Sequence, residues 1–152
     1  ESEAIQSSEE ALKIDPHFGP ALRVKYVFFD NHDSAEGLRL FQQAREIYPD
    51  QPRLLVTLFE LNWKAGNKEQ ALEYVIELLD EHKDTINRSL IAEIYFQMGK
   101  MDDGFRWLEK STEIREPSLL LLANGRQVKH LNKEPRFREL FKKINHPLYV
   151  DE

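Results

Sequence analysis

Cysteine is absent from this chain of 152 residues. Disulfide staples and thiolate metal sites are therefore excluded. The five histidines, at 17, 32, 82, 130 and 146, never fall three to five apart on one helix, so metal-ligand spacing is missing. His32, between Asn31 and Asp33 in a loop, reads as a capping or surface residue. Glycine occurs only six times, in no arrangement that cradles a phosphate or builds a nucleophile elbow. The longest strictly aliphatic run, Leu119 to Ala123, is far shorter than a bilayer span. Lys and Arg number 21 against 27 Asp and Glu, a net charge of -6, which argues against nucleic acid as a direct partner. No stretch alternates with the period of a strand. These absences lead to the expectation of a cytoplasmic, non-enzymatic protein with no cofactor and no membrane association.

The apolar residues that are present recur with helical spacing. Hydrophobic residues make up 41% of the chain, enough to bury a core. Ala4, Ile5, Ser8, Ala11 and Leu12 predict a helix over 2–14, stopped by Asp15-Pro16. A second helix over 19–30 carries Ala21, Leu22, Val24, Tyr26, Phe28 and Phe29. Asp33 with Glu36 predicts a capping box for a helix lined by Leu38, Phe41, Ala44, Ile47 and Tyr48 and ended by Pro49. Pro52 suits the first turn of the next helix, which runs to Ala65 with Leu54, Leu55, Leu58, Phe59, Leu61 and Asn62. Gly66 can close it in the left-handed conformation. Asn67, with Gln70, is expected to cap a helix whose apolar stripe is Ala71, Leu72, Val75, Ile76 and Leu79.

The cycle then repeats with Ile91, Ala92, Ile94 and Tyr95, with Gly99, and with Gly104, Phe105, Leu108, Ser111 and Thr112. After Pro117, a helix from Leu119 to Leu131 is interrupted at Asn124-Gly125. Pro135 opens a last short helix with Phe137, Leu140, Phe141 and Ile144, closed by Asn145-His146-Pro147. The fold class is all-α.

The elements also recur along the chain. Ala11 and Ala44, Pro16 and Pro49, Gly66 and Gly99, and Ala71 and Gly104 are each separated by 33 residues. Such a period marks an array of helical hairpins whose small residues let backbones approach and whose apolar faces are buried by neighbours. The fullest set is Ala92, Tyr95, Gly99, Gly104, Leu108 and Ser111, with Pro117 following. Gly66, Ala71, Val75 and Leu78 form a second, and Gly37, Phe41, Ala44 and Pro49 a third. Ala4, Ser8, Ala11 and Pro16 form part of another.

This pattern resembles the tetratricopeptide repeat (TPR) family over roughly residues 1–117. Phe59 stands where that family usually has a small residue, Lys83 where it has proline, and Pro117 comes one residue later than usual. The resemblance implies a right-handed superhelix of about four hairpins, with residues 118–152 as C-terminal capping helices and tail. The tail's Pro135, Arg136, Phe137 and Leu140 are similar to the closing segment of bacterial TPR regions fused to transcriptional regulators, nucleotide cyclases or kinases. Glu1 rather than Met opens the chain part-way into a helical pattern, so it reads as a piece of a longer protein; a signal peptide on the parent would be out of view.

In such an array the first helix of each hairpin lines the concave face, and its rows fall 33 residues apart. One row is Arg23, Val56 and Ser89, the next Val27, Glu60 and Glu93, and a third Asp30, Trp63 and Phe96. Trp63 and Phe96 would anchor a bound polypeptide, with Glu60 and Glu93 facing its basic or amide groups. The competing reading has the aromatics packed into neighbouring helices and the carboxylates merely solvated. One class of the family clamps acidic chaperone tails with lysines and asparagines on these rows. Here Arg23, Val27, Glu60 and Glu93 hold those places, so basic or apolar segments are expected instead.

The expected function is protein–protein interaction, as the sensory or docking part of a larger bacterial regulatory protein. Its partner would be another polypeptide or the parent's own output domain. The alternative is a small-molecule or peptide-signal sensor with a pocket walled by Tyr26, Trp63 and Phe96. Seven Lys or Arg between Arg126 and Lys143 form a basic end on the acidic body. That end would either support weak self-association or cap the array with its long side chains.

Overall fold

The computed structural model describes residues 2–16, 18–22, 24, 34–123 and 128–149. Among them there are helices and no strand. The chain divides into two compact units, Glu1–Glu81 and His82–Glu152. The division falls inside the expected 1–117 array.

In the first unit, α1 (Ser2–Ile14) ends where expected, with the Asp15 amide donating to the Ala11 carbonyl at 2.8 Å. After a helical stretch at 19–22 come α2 (Ser34–Ile47), α3 (Pro52–Ala65) and α4 (Lys68–Glu81). Leu22, Leu40 and Ala44 form one core, with Leu12 and Leu54 packed against it. The α3–α4 hairpin buries Leu55, Leu58, Phe59 and Leu61 from one helix and Ala71, Tyr74, Val75 and Leu78 from the other. Arg45 of α2 pairs with Glu77 of α4 and lies 5.4 Å from the centre of the Tyr74 ring.

Two expected stripes are shifted in phase. Leu40 replaces Ile47 and Tyr48 on the buried face of α2, and Tyr74 and Leu78 replace Leu72 and Ile76 on α4. Ile76 is 60% exposed. Both helices carry apolar residues around more than half a turn, so periodicity fixes the helix but not which edge of the stripe turns inward. The Asp33–Glu36 box and most of the second expected helix lie outside the described residues.

In the second unit, α5 (Arg88–Gln97) and α6 (Met101–Glu113) form the hairpin. The short α7 (Leu119–Leu122), a 3-10 turn (Lys129–Lys133) and α8 (Pro135–Lys143) close over it. One core joins Ala92, Phe96, Phe105 and Leu108 to Leu119, Val128, Leu131, Phe137, Phe141 and Tyr149. The segment after Pro117 is thus part of the same packing as the hairpin. Of the expected 119–131 helix, only Leu119–Leu122 is α-helical among the described residues.

Four helix ends share one closure. At Gly66 (φ 85°), Gly99 (φ 73°), Arg115 (φ 51°) and Asn145 (φ 55°) the chain turns left-handed. The following amide reaches back five residues in each case: Asn67 to Asn62 (2.9 Å), Lys100 to Tyr95 (2.9 Å), Glu116 to Ser111 (3.1 Å) and His146 to Phe141 (3.0 Å). The left-handed residue itself donates to the carbonyl three back, which satisfies two carbonyls the helix leaves open. After Gly66, the Asn67 side chain turns back to Asn62 Oδ1 at 3.3 Å, and Gln70 donates to Glu73 at 2.6 Å; the expected Asn67–Gln70 pairing is not what these groups make.

Arg115 is the costly member of the four, because a Cβ in this region is worth roughly 1–2 kcal/mol of strain. Its side chain is exposed. We expect Arg115→Gly to stabilise the chain by about 0.5–1 kcal/mol, read as a higher urea midpoint. An unchanged or lower midpoint would show that the side chain repays the strain.

Candidate functional site

The residues expected to line a binding face are held very differently in the two hairpins. Arg23 and Val27, with Asp30 and Tyr26, lie outside the described residues. On α3, Val56, Glu60 and Trp63 share one face by their spacing of four and three. Val56 is 8% exposed and belongs to the core, whereas Glu60 and Trp63 are half-buried. The Trp63 ring leans on fully buried Phe59, with centroids 5.6 Å apart. Across the Gly66 turn, Lys68 folds back over it. Its Nζ lies 3.5 Å from the indole centre and donates to the Trp63 carbonyl at 2.8 Å.

On α5 the equivalent positions serve the fold. Phe96 is 3% exposed and packs edge-on to Phe105, centroids 5.1 Å apart. Its ring occupies the room left by Gly104: a Cβ there would meet Phe96 Cδ1 and Cε1 at 2.5 Å. In the first unit the matching residue is Ala71, which does carry a Cβ. Glu93 remains half-buried.

Ser89 is 1% exposed and is committed to a polar knot at the start of α5. The knot centres on Glu116, just past the end of α6. Its Oε1 accepts from the Arg88 amide at 3.0 Å and the Arg88 guanidinium at 3.2 Å. Its Oε2 accepts from the Ser89 amide at 3.1 Å and the Ser111 hydroxyl at 2.8 Å. The Ser89 hydroxyl in turn bonds to that of Ser118 at 2.6 Å. Asn87 precedes α5 but makes no side-chain cap, so a carboxylate from the other end of the hairpin supplies it. Burial pushes the Glu116 pKa up, but the hydrogen bonds from Arg88, Ser111 and Ser89 outweigh it and hold the group below the usual glutamate range.

Sequence reasoning missed Glu116. The signal was Pro117 arriving one residue late, which puts Glu116 where the proline is usual. Arg136, named in the tail and in the basic end, has partners that sequence reasoning did not foresee: it lies 4.5 Å from the Phe105 ring centre and donates to Glu109 at 2.7 and 3.1 Å. That contact fastens α8 to α6 and engages part of the basic end.

A cleft of about 420 Å³ opens where the last turns of α6 and α8 meet, lined by Glu109, Thr112, Glu113, Arg115, Leu140, Lys143 and Ile144. Two carboxylates and two cations share its rim, so it has no field of one sign to draw a charged ligand. Among the described residues, no group of three or more His, Asp or Glu could hold a metal ion. No described helix is long and apolar enough to cross a membrane.

Repeated hairpins closed at a left-handed glycine, with small residues at the helix contacts, define a helical repeat protein. Two family models described as tetratricopeptide repeat match the chain, one over residues 28–88 and the other over 88–117. The chain belongs to the tetratricopeptide repeat family. No curated protein and no solved structure matches it. Such repeats generally mediate protein–protein interaction and are typically non-catalytic scaffolds.

The knot gives a test with a definite sign. Because the folded pKa of Glu116 is depressed, its contribution is present above the unfolded pKa and is lost as pH falls through the folded value. At neutral pH, Glu116→Gln should destabilise by about 1–3 kcal/mol. The gap from wild type should shrink as pH falls below the ordinary glutamate range, measured by urea unfolding across pH. A gap that does not narrow on acidification would show that the charge of Glu116 is not what caps α5.

Proposed function

We propose that the chain is a cytoplasmic docking module that holds an extended polypeptide, in a larger bacterial regulatory protein. The partner is a separate polypeptide or the parent's own output domain, and not nucleic acid. Membership of the tetratricopeptide repeat family supports the polypeptide part of this reading. The similarity of Pro135, Arg136, Phe137 and Leu140 to the closing segment of bacterial regulator-linked repeats supports the rest.

The observation that carries the reading is the split on α3. Val56 and Phe59 are spent on the core, while Glu60 and Trp63 of the same helix stay half-buried. A large aromatic on a rigid helix beside a carboxylate suits a basic or apolar side chain of a bound segment. Of the expected residues, Glu60, Trp63 and Glu93 are the ones we assign to partner contact. Arg23 and Val27 keep their assignment from the repeat register alone. Val56, Ser89 and Phe96 would support the face from within. Weak self-association is compatible with this reading, since a basic end and an acidic body occur in one chain and would attract most at low salt.

The full chain on a peptide array should retain basic and apolar segments and leave acidic tails unbound. Trp63→Ala should weaken the best of these by roughly tenfold or more. Binding confined to acidic tails, or undiminished by Trp63→Ala, would overturn the assignment.

A further inference from the structure

The aromatic at the end of α3 is already occupied. Trp63 has Phe59 on one side and the Lys68 ammonium 3.5 Å from its ring centre. Indole is the best of the aromatic faces for a cation, so this geometry shows what chemistry the ring accepts. Lys68 itself is exposed, on the first turn of α4, and reaches back across the turn to get there. A long lysine chain held at the surface gives up rotamer freedom and gains little from an attraction that water screens. Lys68 is therefore easily lifted off, and what replaces it best is another cation. An incoming apolar side chain would displace the ammonium and offer nothing of its kind in return. Glu60 stands three residues back on the same helix, and the chain carries a net charge of -6, so an approaching cation is drawn in and not repelled.

We propose that Trp63 is the seat for a lysine or arginine side chain of the bound polypeptide, and that Lys68 is its placeholder, sitting on the ring until the partner's cation takes over. This rests on the polypeptide-holding reading and sharpens it: the anchor is basic, and apolar side chains are secondary. Lys68 also makes the site selective, since a segment without a cation has to dislodge one unaided.

The test is calorimetric titration of the full chain with a short capped peptide of alternating serine and lysine, and with its serine–alanine counterpart. Lys68→Met should bind the lysine peptide about two- to fivefold tighter than wild type, the range a surface cation–ring contact supports. Lys68→Arg restores a placeholder and should bind like wild type. Lys64→Met removes the same charge from the end of α3 without touching the ring's occupant, and should give a smaller gain. Trp63→Leu should abolish the preference for lysine over alanine. Trp63→Phe, which keeps the packing on Phe59 with a weaker cation acceptor, should reduce it.

No gain in Lys68→Met would overturn the placeholder. An equal gain in Lys64→Met would reduce it to overall charge, and a lysine preference that survives in both Trp63 variants would remove the seat. Binding of both peptides without preference would sink this inference alone. No binding of either peptide to any variant would sink the polypeptide-holding reading with it.

Discussion

A helix can be reversed within a few residues only if one of them leaves the right-handed region, and the four closures at 66, 99, 115 and 145 all meet that constraint in the same way. Each spends one left-handed residue and recovers two otherwise unsatisfied carbonyls. The hairpins follow from the tight reversal: two helices are forced side by side, a small residue on one can make room for a large one on the other, as Gly104 does for Phe96, and a modest apolar stripe suffices to bury the contact. Glycine makes the turn without strain at the two hairpin loops. At the ends of α6 and α8, where the chain departs into the C-terminal segment, arginine and asparagine make it instead.

The second hairpin adds an electrostatic clasp. In an antiparallel pair, the C-terminus of one helix comes beside the N-terminus of the other, so a carboxylate just past α6 can cap α5. Glu116 does this with both oxygens, and Ser111 and Arg88 complete its coordination. A buried carboxylate with one donor would be a liability; with four it fixes how the ends of the hairpin meet.

The hairpins were legible because their chemistry is local and repeats. Turn glycine, small residue and proline at a fixed separation say helix, reversal, helix, whatever the partners. The phase of the stripes was not legible on α2 and α4, where Leu72 and Ile76 look as suitable for the core as Tyr74 and Leu78 do. The candidate face was legible only as a register. Trp63 and Phe96 hold equivalent places, yet one stays at the surface and the other enters the core. Across the second hairpin Gly104 leaves a bed for the Phe96 ring, whereas the matching residue of the first unit, Ala71, carries a Cβ and Trp63 lies against Phe59 of its own helix. No inspection of α5 alone shows where Phe96 goes, because the bed for its ring belongs to the facing helix. Glu116 escaped for a related reason, since the two amides it caps lie 27 and 28 residues earlier.

Glu116 also sets a trap for anyone regularising this repeat. Consensus engineering would restore the proline that family members usually carry at its position and would count the change as rigidifying. Here that exchange would delete the carboxylate and the amide that answers the Ser111 carbonyl, leaving the first turn of α5 and the hydroxyl of Ser111 to find water in a place that has been closed to it. A loop residue that looks like a lapse from the pattern is, in this hairpin, the part that cannot be averaged away.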